Sequence, residues 1–175
     1  KPGRCEMSQL ARLFIEQSES GLAVDQVPLR NFTPDQIRYA IQALMAEGRD
    51  ALAYALGDAG IAMYPNNEEM LAITSLLSVV REDWPVAIEL ITELIEMQGD
   101  QATCFSYLML VRSLICNLDL HEALGVVILG LKKFPGNPDL ELEYGSLLDL
   151  LGLADRKSTR LNSSHVSESR MPSSA

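Results

Sequence analysis

Tyr64-Pro65-Asn66-Asn67 and Phe134-Pro135-Gly136-Asn137 are two copies of one corner, and their reading decides the fold. In each, an aromatic closes an apolar run, proline prevents its continuation, and asparagine offers a side-chain acceptor to the free N–H groups of a new helix. Midway between them, Met97-Gln98-Gly99-Asp100 holds the equivalent place with the proline lost. These corners divide the chain into 34–67, 68–101, 102–137 and a remnant, 138–153. The first two units are of equal length, and the third carries two extra residues.

Each unit has a second break near its middle: Glu47-Gly48-Arg49-Asp50, then Arg81-Glu82-Asp83-Trp84-Pro85, then Asn117-Leu118-Asp119. The unit is therefore predicted to be a helix, a tight turn and a second helix. Thr33-Pro34-Asp35-Gln36 reads as an N-cap, a proline at the first helical position and a capping-box glutamine. Asn137-Pro138 repeats the cap and proline, Asp119 with Glu122 reads as an acidic cap, and Pro85 suits a first turn. Gly48 is placed to end its helix in the left-handed conformation.

This pattern resembles the tetratricopeptide repeat family over residues 34–153. The resemblance implies an all-α, right-handed superhelical array of antiparallel helix pairs, with three complete repeats and one orphan helix. The family places small residues where helices cross closely. Here Ser75 and Gly145 stand in first helices, Ala53, Ala87 and Ala123 in second helices, and Gly60 and Gly130 at the next small position. Larger side chains there would overpack the crossing. Met109 departs from the Ser75 and Gly145 pattern, and Leu94 from that of Gly60 and Gly130. With the two extra residues, these departures predict local distortion in the third repeat.

Composition agrees with closely packed helices: 47% of the 175 residues are hydrophobic, yet only 6% are aromatic. The net charge is −10, from 14 basic and 24 acidic residues. Setting aside 1–6 and 156–175 leaves 8 basic and 22 acidic residues, or −14. Such a body repels phosphate, so nucleic acid and anionic membrane surfaces are poor partners. The apolar runs Met70 to Val80 and Ala123 to Leu131 are too short for the roughly 20 residues of a membrane span. Without a recognisable signal core, a cytoplasmic location is expected.

Cys5, Cys104 and Cys116 form no ligand cluster. The latter two lie about 18 Å apart on one predicted helix at 1.5 Å per residue, so they read as small buried hydrophobes rather than a disulfide. His121 and His165 carry no motif. No phosphate loop, HExxH or GxSxG is present. No catalytic residue, metal or cofactor is expected, and the chain is not read as an enzyme.

Outside the repeats, residues 1–33 read as a helix and linker. The helix spans 7–17, with Leu10, Leu13, Phe14 and Gln17 on one face, and 18–32 links it onward. Met7 is a candidate native start. The serine-rich run 157–175, within a tail over 154–175 expected to be disordered, resembles a translated adapter or vector segment and is set aside. The last helix then lacks its partner and shows Leu147, Leu148, Leu150 and Leu151. A further helix is expected to cover them in an intact gene, or self-association to do so.

Stacked helix pairs present the first helix of each pair on a concave wall, where the resemblance places the binding site. It implies Asp35, Arg38, Tyr39 and Gln42 in the first unit and Glu69, Ala72, Ile73, Leu76 and Val80 in the second. In the third it implies Thr103, Ser106, Tyr107, Leu110 and Leu114. One subclass of the family clamps terminal carboxylates with Lys, Arg and Asn. Only Arg38 would serve that role here, so an apolar strip between two tyrosines is expected instead, suited to a helix or extended peptide. The function expected is a protein-interaction module or scaffold. The alternative is a small bacterial chaperone for a secreted or membrane-destined client, of the type III secretion kind.

Overall fold

The computed structural model describes residues 8–21 and 26–153. Among them are eight α-helices: α1 Gln9–Glu19, α2 Pro34–Ala46, α3 Asp50–Met63, α4 Glu68–Val80, α5 Trp84–Gln98, α6 Cys104–Cys116, α7 Leu120–Lys133 and α8 Pro138–Leu150. No strand occurs among the described residues. Each helix packs on the next, giving the pairs α2/α3, α4/α5 and α6/α7, with α8 against α7.

Two local devices build this alternation. The first helices are capped by side chains: Thr33, Asn67, Thr103 and Asn137 accept from Gln36, Met70, Ser106 and Leu140 N–H respectively. Thr33 forms the full capping box, its own N–H donating to Gln36 Oε1 at 2.9 Å. The second helices α3, α5 and α7 have no such cap. The Asp119 carboxylate instead accepts the Asn117 amide at 2.7 Å, so the expected acidic cap is not made.

These second helices are reached through a left-handed residue, at φ 69° in Gly48, 58° in Glu82 and 65° in Leu118. The following N–H reaches back to Leu44, Ser78 and Leu114 carbonyls, the Schellman bond that stops one helix and turns the chain. Gly152 repeats the arrangement after α8 at φ 67°.

Cap residues Thr33, Asn67, Thr103 and Asn137 advance by 34, 36 and 34 residues. The two extra residues lie before α6, where a 3₁₀ turn over Gly99–Gln101 follows α5. Lys133 Nζ holds that turn by donating to the Gly99 carbonyl at 2.9 Å. Helix α6 keeps the 13 residues of α2 and α4, and α7 the 14 of α3. The expected distortion is thus confined to the corner.

Ala53, Ala87 and Ala123 are fully buried at the crossings. A Cβ on Gly60 would approach Met70 Sδ at 3.0 Å and Ile37 Cγ2 at 3.1 Å; on Gly130 it would approach Leu140 Cδ1 at 3.2 Å. Gly145 differs: a Cβ there meets nothing among the described residues.

Helix α1 adds Leu10, Ala11 and Phe14 to the core of the first pair, while Leu13 and Gln17 are half-buried. In the stretch expected as a linker, a 3₁₀ turn over Leu29–Asn31 buries Val27 and Leu29. Tyr64 of the first corner donates its hydroxyl to the Phe32 carbonyl at 2.8 Å. Met7, Cys5, His165 and 154–175 lie outside the described residues. Cys104 is half-buried, but Cys116 is exposed at the end of α6, contrary to its reading as buried.

Candidate functional site

The first helices form one wall. Along it α2 touches α4 and α6 touches α8, whereas α4 and α6 make little direct contact. The longer corner before α6 accounts for the difference, and between these two helices lies a pocket of about 240 Å³. Ala72, Ser75 and Leu76 of α4 form one side, and Phe105, Ser106 and Met109 of α6 the other. Ile91 and Leu94 of α5 supply the apolar floor, and Gln98 and Thr103 close one end.

Aligning cap with cap explains who is there. Asp35, Glu69 and Phe105 occupy one helical position, and Tyr39, Ile73 and Met109 another. The position of Ser75 and Gly145 is filled in α6 by buried Val111, not by Met109. Phe105 is 58% exposed and Leu76 38%, so two large apolar side chains stand at the mouth.

Of the residues implied for the wall, Ala72, Leu76 and Ser106 line this pocket. Gln42, Tyr39 and Val80 are exposed beyond it. The Arg38 guanidinium carbon lies 4.7 Å from the Tyr39 ring centroid. Ile73 belongs instead to the first core cluster and Leu110 and Leu114 to the second, and none of the three lines the pocket. Tyr107 turns to α7: its Cβ is 3.4 Å from where Gly130 would carry one, and its ring meets Phe134 edge-on at 6.1 Å. The strip is therefore not bounded by two tyrosines. Thr103, besides closing the pocket, spends its hydroxyl on the α6 cap.

The corrections on α6 have one cause. A step of 34 residues carried across the longer corner misplaces α6 by two residues, about 200° around a helix. Ser106, Tyr107 and Leu110 are the counterparts of buried Met70, Leu71 and Thr74. Phe105 and Met109 were missed for the same reason, and the cap Thr103 was the signal that could have found them.

The charges beside the pocket are mostly committed. Arg38 Nη2 lies 2.9 Å from Asp35 Oδ1, with Glu69 Oε2 3.8 Å from its Nε. Arg112 Nε bonds Glu143 Oε1 at 2.8 Å. The Arg38 hydrogen bond holds the Asp35 carboxyl below its ordinary pKa. Loss of hydration, followed by the neighbouring Asp35, pushes Glu69 up.

No family model and no curated protein matches the sequence. Solved structures do match. MamA AMB-1 superposes with a TM-score of 0.66 at 14% identity, covering 89% of this chain and 95% of that one. MamA 41-end from Desulfovibrio magneticus RS-1 gives 0.62 at 12% identity, covering 92% and 99%. The second TPR domain of human RPAP3, solved in complex with the HSP70 peptide SGPTIEEVD, gives 0.54 at 18% identity, covering 66% and 98%. At such identities the likeness speaks to the fold. With the paired helices and their repeating caps and corners, it shows this chain to have the tetratricopeptide repeat fold.

Proposed function

We propose that the chain is a protein-interaction module that docks a short segment of another protein on the α4/α6 wall. The observation carrying this reading is the apolar pocket with Leu76 and Phe105 exposed at its mouth. At about 240 Å³ it is smaller than the ~300–1,000 Å³ of ordinary small-molecule sites, and suits an inserted side chain better than a cofactor. Bound RPAP3 provides a precedent for peptide capture by this fold. The acidic RPAP3 ligand is not the model here, because Arg38 and Arg112 are each held by a carboxylate.

The test is selection of displayed random peptides on the wild-type chain, followed by measured affinity of the winners for Leu76→Glu. Recurrent apolar anchors, with at least tenfold weaker binding to a folded Leu76→Glu variant, support the reading. Winners that bind the folded variant equally well contradict it. Folding is checked by thermal melting, and Phe105→Ala provides a milder second variant.

A chaperone role for an unfolded client rests on the same apolar mouth and the acidic body. It predicts suppression of client aggregation without a sequence motif among the selected peptides. A further surface, bearing Leu142 at 66% and Leu150 at 61% exposure on α8, supports self-association as a second reading. Sedimentation tests it: a concentration-dependent dimer abolished by Leu142→Glu would agree, and a monomer throughout would not.

A further inference from the structure

We infer that the docked segment carries a basic residue about three positions from its apolar anchor. This deepens the docking proposal and rests on it. The end of the pocket closed by Gln98 and Thr103 combines an unpartnered acceptor with a group of neighbouring carboxylates. Gln98 donates its amide N–H to Glu68 Oε1 at 2.9 Å, which fixes the amide orientation because a carboxylate can only accept. Gln98 Oε1 is then buried without a donor among the described residues.

Beside it, Glu68 and Glu69 open α4, and Asp35 faces the same side from α2. Arg38 is shared between Asp35 and Glu69, leaving negative charge in excess. Loss of hydration, and after it the neighbouring Asp35, hold the Glu69 pKa above its ordinary value. A lysine or arginine arriving here supplies the missing positive charge and donors, and an acidic ligand residue would be repelled.

Spacing follows from the helix. Glu69 and Leu76 are seven residues apart on α4, about 10 Å along its axis. An extended peptide covers that distance in about three residues at ~3.3 Å each. The anchor packs on Leu76 and the basic side chain reaches Glu69 and Asp35. Charge complementarity thus selects a basic-apolar segment of a partner protein.

The probes are acetylated, amidated nonapeptides with a central leucine and Lys, Ser or Glu three positions to either side. Their affinities are measured by fluorescence anisotropy against wild type and the double variant Asp35→Asn/Glu69→Gln. The Lys peptide is expected to bind about fivefold tighter than the Ser peptide on wild type, and the Glu peptide more weakly than either. The Lys advantage should vanish in the double variant while the Ser peptide is unaffected. Equal affinities on wild type, or a Lys advantage that survives in the double variant, would overturn the inference. Failure of the docking proposal looks different: no leucine-centred peptide binds, or all bind Leu76→Glu as well as wild type, and the inference falls with it. Melting curves verify that the double variant folds, and Glu69→Gln alone supplies a milder check.

Discussion

Leu94 and Ser106, which face the same pocket, reverse the distribution of bulk found at the other joints between helix pairs. In the first joint small Gly60 meets large Met70, and in the last Gly130 meets Leu140. At the middle joint the second helix brings the large residue and the first helix the small one. The inversion coincides with the longer corner before α6, and together they leave the opening between α4 and α6.

The exchange predicts coupling at the first joint. Gly60→Leu alone should cost about 1–3 kcal/mol through overpacking, and Met70→Ser alone about 2–5 kcal/mol through lost burial. Combined, they reproduce the middle joint, and their joint cost should fall at least ~1 kcal/mol short of the sum. Urea unfolding of the four proteins measures the cycle. Strict additivity would show that the two positions do not share one space.

Leu118 offers a stabilising change. It is 81% exposed and holds φ 65° where Gly48 and Gly152 serve equivalent corners. A left-handed non-glycine residue costs about 1–2 kcal/mol, part of which glycine returns through its freer unfolded chain. Leu118→Gly should therefore gain about 0.5–1 kcal/mol, seen as a higher urea midpoint at unchanged slope. A lower midpoint would mean that the leucine makes a contact worth more than the strain.

Asp35 gives a pH signature. Its carboxyl titrates below the ordinary value because Arg38 hydrogen-bonds the charged form. Its contribution is thus present above the unfolded pKa and lost as pH falls through the lower folded value. Asp35→Asn should melt below wild type at neutral pH, and the gap should close under acid conditions below the usual aspartate range. A gap that persists there would assign the effect to something other than this ion pair.

Corners and caps were legible in the sequence because they depend on residues acting locally: Thr33 with Gln36, Asn67, Asn137 and Gly48 do in the structure what their chemistry suggested. The face of α6 was not legible from a constant repeat length. Which side of a helix meets the wall depends on register, and two residues in the corner reverse it. Leu118 was equally hidden, since nothing local favours a left-handed leucine; the Schellman geometry of the corner imposes it.

The most direct test of docking between α4 and α6 is a titration of isotope-labelled protein with a selected peptide, followed by backbone and methyl NMR. The account predicts shift changes concentrated on Ala72, Leu76, Leu94, Phe105 and Met109, with Leu142 and Leu150 of α8 unmoved. Changes confined to α8, or to the outer surface of α3, α5 and α7 with these pocket residues silent, would contradict it.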